Sequence, residues 1–175
     1  MKNIVLTALN TRHTHSALGL AYIKSFWEKD SAHQPLNLIE FDLNQTNEGI
    51  IADLILLKPD ILAFSVYIWS LPRTLAVAGA IKAAFPDCLI IFGGPEVSFN
   101  SETIMAACPA VDFIVRGEGE ITFSELLETL LAGKPTDSIT GITRRQNSEI
   151  IKNPDRPFIK SLDEIPSPFR SGIYK

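Results

Sequence analysis

Apolar residues follow two alternating rhythms along this chain. Short apolar runs at 2–9, 36–41, 61–66, 89–92 and 113–115 read as five β-strands. The last two, Leu-Ile-Ile-Phe and Phe-Ile-Val, show little alternation, which suits parallel strands buried on both faces. Between the runs, apolar residues fall at helical spacing. A first helix is expected from about Ala17 to Lys29, with Ser16 as its cap, and a second from Thr46 or Asn47 to near Lys58. Three more follow, from Leu71 to Phe85, from about Ser101 to Ala107, and from about Thr122 to Ala132. Pro59 disfavours helical geometry in Lys58 before it, Pro72 suits a first helical turn, and Gly133 fits a helix stop. Gly19 falls in the first turn of its helix, where close packing or a ligand would explain it.

Strict β-α alternation predicts an α/β fold. The expected form is a doubly wound, mostly parallel, five-stranded sheet of Rossmann-like, flavodoxin-like order, because crossovers are right-handed. After Gly133 the rhythm changes. Residues 139–145 and 149–152, separated by Gln146-Asn147-Ser148, suggest a small hairpin. Residues 153–175 carry Pro154, Pro157, Pro166 and Pro168 without helical period and read as an extended linker. The chain therefore divides into 1–135 and 136–175.

On that fold, Gly93-Gly94-Pro95-Glu96 and Arg116-Gly117-Glu118-Gly119-Glu120 lie at the carboxyl ends of adjacent strands. In open α/β sheets ligands bind at that edge, and glycine lets them approach the main chain. Taken singly, the first loop reads as a tight turn. The second reads as a solvated turn with Glu120 favourable in a first helical turn. Side by side they favour a site for a flat or extended ligand, with Tyr67 and Trp69 placed to cover it or simply to pack against a helix.

Composition narrows the classes. The chain has 175 residues, 46% hydrophobic and 21% charged, enough for one core. Its net charge of -4 argues against a nucleic-acid partner. No apolar run is long enough to span a membrane and no signal-peptide pattern opens the chain, so a cytoplasmic protein is expected. Cys88 and Cys108 are isolated and read as reduced structural thiols. The first strand is followed by neither Gly-x-Gly-x-x-Gly nor a Walker lysine motif, and it ends in Asn10 and Arg12 rather than the acids of a phosphorylated receiver. His13 and His15 share one loop without a third partner, which is weak evidence for a metal. No catalytic acid–base pair stands out.

The glycine loops resemble those of one family. Gly93-Gly94-Pro95-Glu96-Val97-Ser98, followed by Val111 to Glu120, is similar to the cobalamin-binding N-terminal domain of cobalamin-dependent radical S-adenosylmethionine enzymes. That group includes methyltransferases and anaerobic magnesium-protoporphyrin monomethyl ester cyclases. Asn10-Thr11-Arg12 with His15 and Leu18-Gly19-Leu20, Ser65-Val66-Tyr67, and Ser161 to Pro168 resemble further parts of it. The resemblance implies a domain that holds cobalamin across the carboxyl edge. The nucleotide tail would enter near the fourth and fifth strands. Candidate cofactor contacts on that basis are Gly93, Gly94, Pro95, Glu96, Gly117, Glu118 and Gly119, with Ser65, Val66, Tyr67, Thr11 and Arg12.

The Asp-x-His-x-x-Gly of mutase-type domains is absent, and Glu96 stands where the family commonly has histidine. No Cys-x-x-x-Cys-x-x-Cys run occurs in these residues. The expectation is an N-terminal module that binds without catalysing. Its partner would be a C-terminal radical domain carrying a 4Fe-4S cluster and S-adenosylmethionine. The alternatives are a vestigial domain that only packs on that partner, and a flavodoxin-like domain for a nucleotide or flavin.

Overall fold

The first strand, β1 (Ile4–Asn10), is buried along its whole length and takes the centre of the N-terminal half of the sheet. Our computed structural model describes residues 1–11 and 16–174. Around β1 the chain alternates α1 (Leu18–Glu28), β2 (Asn37–Asp42), α2 (Asn47–Leu57), β3 (Ile61–Ser65), α3 (Leu71–Ala84) and β4 (Leu89–Gly93). It continues with α4 (Pro95–Ser98), α5 (Ser101–Ala107), β5 (Phe113–Val115), α6 (Gly119–Leu131), β6 (Ile142–Gln146) and β7 (Glu149–Lys152). The strand order is β2-β1-β3-β4-β5-β6-β7. The first five strands run parallel in the flavodoxin-like order expected, and β6 and β7 are antiparallel.

Parallel strands need both faces covered. Val5, Leu9, Leu62, Phe64, Ile90 and Phe92 point to one side, where α2, α3 and α5 pack. Leu6, Ala8, Ala63, Ile91 and Val115 point to the other, beneath α1 and α6. Cys88 and Cys108 are free and buried, and burial pushes the Cys88 thiol up to about 11.

The sheet has seven strands rather than five. The hairpin continues it, with β6 pairing β5 through Ile114↔Thr143. Without β6, the three-residue β5 would be an open edge with unpaired backbone groups. The helices also differ from expectation: α6 starts at Gly119, inside the expected loop, rather than near Thr122, and α4 is not among those expected. Ser16 does not cap α1, whose cap position is Ala17. The Ala17 N–H instead donates to the Glu40 carboxylate of β2 at 2.7 Å. The four-residue α4, opened by Pro95, is too short to carry a helical period. Thr46 does cap α2, accepting from the Gly49 N–H at 3.1 Å. Lys58 ends that helix in left-handed geometry.

The proline-rich segment is extended apart from a 3-10 turn at Leu162–Glu164 and a turn over 168–172, and it folds back on the domain. Asn153 is buried and donates to the carbonyls of Thr136, Asp137 and Ile139. Arg156 pairs with Glu125 of α6, and Ser171 Oγ lies 2.8 Å from Ser25 Oγ of α1. Arg116 is the deepest anchor. The sequence suggested a solvated turn, yet its side chain is 5% exposed. It donates to Thr143 Oγ1 at 2.7 Å, the Asn153 carbonyl at 2.6 Å and Asp155 Oδ1 at 2.7 Å. The guanidinium holds the exposed Asp155 carboxyl below its usual range.

Arg116→Met leaves the buried Asn153 carbonyl without its donor and the Thr143 hydroxyl with Ser101 alone, and is expected to destabilise the fold by about 2–4 kcal/mol in urea unfolding. Asp155→Asn is expected to shift the midpoint far less, because that carboxylate is solvated.

Candidate functional site

The carboxyl edge is assembled from the ends of β3, β4 and β5. Parallel register sets Ser65 opposite Gly93. The Val66 N–H then donates to the Gly93 carbonyl at 2.8 Å. Gly94 has a φ of 100°, and a Cβ there would meet the Val66 carbonyl oxygen at 2.6 Å and its nitrogen at 2.9 Å. Only glycine permits both that backbone geometry and that approach. Ser98 of α4 joins the two glycine loops. Its hydroxyl donates to the Gly94 carbonyl at 2.8 Å and accepts from the Gly117 N–H at 3.2 Å.

Behind these loops, between the sheet and the N-terminal ends of α1 and α6, lies a cavity of about 390 Å³. Of the residues singled out from sequence, Ser65, Tyr67, Gly93, Gly94, Pro95, Gly117, Glu118 and Gly119 line it. Val66 is fully buried and contributes only through the backbone contacts above. Glu96 and Thr11 are not on the cavity wall, and Arg12 lies outside the described residues. Sequence reasoning missed the wall opposite the glycines, made by Leu20 and Ile23 of α1 and Phe123 of α6. It also left out Ser98 and Glu120. Gly19, left open between packing and a ligand, faces the cavity, and a Cβ there would meet nothing within 4 Å.

Tyr67 and Trp69 stack on each other at 4.7 Å between ring centroids. Tyr67 reaches the cavity wall while Trp69 stays half-exposed. Phe99 and Ile68 are exposed nearby, Phe99 on the rim itself and Ile68 between the stacked rings in sequence.

Two carboxyls line the cavity. Glu118 Oε2 accepts the Ile159 N–H of the C-terminal segment at 2.6 Å. Glu120 is half-buried in the first turn of α6. Burial chiefly raises its pKa, against the amides of Glu120 itself and Gly119, with Glu118 adding repulsion. Among the described residues no group of three or more His, Cys, Asp or Glu stands close enough to hold a metal ion. His13 and His15 lie outside those residues.

Fold and cavity together define a flavodoxin-order α/β domain with a cavity on its carboxyl edge. The B12 binding domain family matches residues 4–127, and the chain belongs to that family. An uncharacterised methyltransferase of Pyrococcus horikoshii is 33% identical over 155 residues, 89% of this chain and 33% of that protein. TokK of Streptomyces tokunonensis, a cobalamin-dependent radical SAM methyltransferase, is 34% identical over 119 residues, 67% of this chain and 18% of that protein. The chain thus spans a third or less of these relatives. Among solved structures, the cobalamin-dependent S-adenosylmethionine radical enzyme OxsB with aqua-cobalamin and S-adenosylmethionine bound aligns with a TM-score of 0.75 at 21% identity, over 95% of this chain and 24% of that one. That likeness is one of fold.

The residues fit the cofactor this family implies. A Cβ at Gly117, like one at Gly19, would meet nothing within 4 Å, so both leave open space toward a bulky ligand. The cavity of about 390 Å³ behind them is walled largely by apolar side chains, as a site for the apolar part of a bulky ligand needs.

Gly94→Ala is expected to cost at least about 2 kcal/mol, from left-handed strain together with the clash on Val66. Gly117→Ala, with a φ of 71° but open space, is expected to cost about 1 kcal/mol. Chemical denaturation of the two variants reads the difference. Glu120 gives a pH signature. A carboxyl whose pKa is raised by folding binds its proton more tightly in the native state. Its favourable contribution is therefore present at low pH and is lost as pH rises above its ordinary 4.5 and through the folded value. Glu120→Gln should accordingly gain thermal stability relative to the parent chain at pH 8 and lose that gain as pH approaches 4.5.

Proposed function

We propose that this chain is the cobalamin-binding module of a radical S-adenosylmethionine enzyme. The observation that carries the reading is the cavity between two glycine loops at the carboxyl edge of a B12-binding-family domain. Residues 1–135 form the binding unit in this reading, and 136–175 the hairpin and the connection toward a radical domain. Gly117 and Gly19, where a Cβ would meet nothing within 4 Å, let the cofactor come close to the main chain, and Gly93, Gly94 and Gly119 line the same cavity. Ser65, Tyr67 and Ser98 place hydroxyls on the wall for its polar groups. Leu20, Ile23 and Phe123 exclude water from the inserted part. When bound, cobalamin supplies a cobalt-centred carrier for a methyl group or an electron, and the protein supplies its placement. The 4Fe-4S cluster and S-adenosylmethionine would belong to the radical domain. Reduced thiols support a cytoplasmic setting, and among the described residues no helix is long and apolar enough to cross a membrane.

Hydroxocobalamin mixed with the purified chain, desalted and scanned in the visible range tests the reading. Retention of cobalamin in a near-stoichiometric amount with a base-off spectrum is expected. A folded chain that keeps none after desalting overturns it.

A further inference from the structure

α1 begins without help from its own side chains. Ala17 at its cap position makes no side-chain cap bond, and no acid stands in the first turn. The acceptor comes from another strand. Glu40 Oε2 of β2 takes the Ala17 N–H at 2.7 Å, and the same oxygen accepts from the side-chain amide of Asn10, the last residue of β1. Glu40 lies opposite Ala8 in the β1–β2 register, and Ala8 belongs to the apolar cluster beneath α1. Ala17 also opens the helix, because its carbonyl accepts from the Ala21 N–H at 3.2 Å. One carboxylate therefore ties the end of β1 and the start of α1 to β2. A negative group at that point also suits the positive end of the helix dipole.

The place of this first turn matters for the cavity, although Glu40 is not on the cavity wall. Gly19 and Leu20 come directly after Ala17-Leu18 and form part of that wall. Ile23, one turn further on, approaches α6 so closely that a Cβ at Gly119 would meet its Cδ1 at 3.0 Å. A shift of α1 thus moves the wall and its packing on the second glycine loop together.

We infer that Glu40 is a positioning residue for the cavity. By holding Asn10 and Ala17 on one oxygen it fixes the first turn of α1, and a side chain outside the cavity thereby controls cobalamin affinity. The inference rests on the cobalamin reading and deepens it. A wall fixed before the ligand arrives costs less to order on binding, so loosening it weakens affinity without removing any contact.

The test uses the 175-residue chain with Glu40→Ala, Glu40→Gln and, as a control, Thr46→Ala, which removes the cap of α2 on the other side of the sheet. Each is titrated with hydroxocobalamin, unfolded in urea, and followed without ligand by amide hydrogen exchange at Ala17. Glu40→Ala is expected to lose about tenfold in affinity, the scale of one hydrogen bond to a charged group, and to exchange the Ala17 amide faster. Glu40→Gln keeps an acceptor oxygen and should lose no more than about threefold. Thr46→Ala should lower the urea midpoint and leave affinity unchanged. If Glu40→Ala does not fold, Glu40→Asp, which keeps the charge but withdraws the oxygen by one methylene, carries the same expectation. Unchanged affinity in Glu40→Ala, with only a lowered midpoint, overturns the inference and leaves Glu40 a plain cap. An equal loss in Thr46→Ala overturns it too, because affinity then follows overall stability, and so does an unchanged exchange rate at Ala17. A parent chain that binds no cobalamin defeats the binding-module reading itself, whereas one that binds it no better than Glu40→Ala defeats the role of Glu40 alone.

Discussion

The carboxyl edge depends on one close contact, the passage of Gly94 over the backbone of Val66. Because no Cβ intervenes at a distance of 2.6 Å, the β4 loop can lie directly on the end of β3. That contact sets where α4 begins, and α4 brings Ser98 to a position where one hydroxyl serves both glycine loops. The loops are thereby held as a pair, and the space behind them stays open. A side chain at Gly94 would lift the loop and disturb Ser98 and Gly117 together. The cavity is a consequence of backbone packing more than of any polar group that lines it.

A second constraint comes from the opposite end of the sequence. Arg116 leaves β5 at the root of the second glycine loop, and its guanidinium is enclosed by Thr143 of β6, Asn153 and Asp155. A buried cation is tolerated only when its donors are satisfied, and here the hairpin and the segment after it provide the acceptors. The hairpin therefore pairs the short β5 and fixes the base of the loop that lines the cavity.

Much of this was legible in the sequence, for physical reasons that differ by element. The five parallel strands and their helices announced themselves because burial on both faces writes unbroken apolar runs and helical spacing into the chain. The glycine loops were legible because a break from an apolar run into Gly-Gly-Pro or Gly-Glu-Gly has few structural explanations. The membership of β6 and β7 in the same sheet was not, since pairing of β5 with β6 depends on a register that no local period encodes. Leu20, Ile23 and Phe123 escaped notice because their spacing is that of ordinary core positions, and nothing local distinguishes a side chain facing a cavity from one facing a neighbour. Arg116 looked solvated because its acceptors Thr143, Asn153 and Asp155 are far along the chain.

The segment after the hairpin closes the argument about why the cavity keeps its shape. It touches the domain at Glu118 in the β5–α6 loop, at Glu125 on α6 and at Ser25 on α1. Near its end, burial and the Glu40 carboxylate push the Tyr174 phenol up. Those at Ser25 and Glu125 fall on α1 and α6, the two helices that wall the cavity, and His33 Nε2 adds a 3.4 Å contact from beyond α1 to Glu128 of α6. The pair is thus held from the sheet side by the apolar cluster of Leu20, Trp27, Phe123 and Leu127, and from the outside by the returning chain. A cavity whose walls are tied on both sides is preorganised, so a ligand entering it spends little on ordering the protein. Glu118 belongs to both systems, since it lines the cavity and also accepts from the Ile159 N–H. The path by which the chain leaves the domain and the wall that meets the ligand are therefore mechanically joined at one residue.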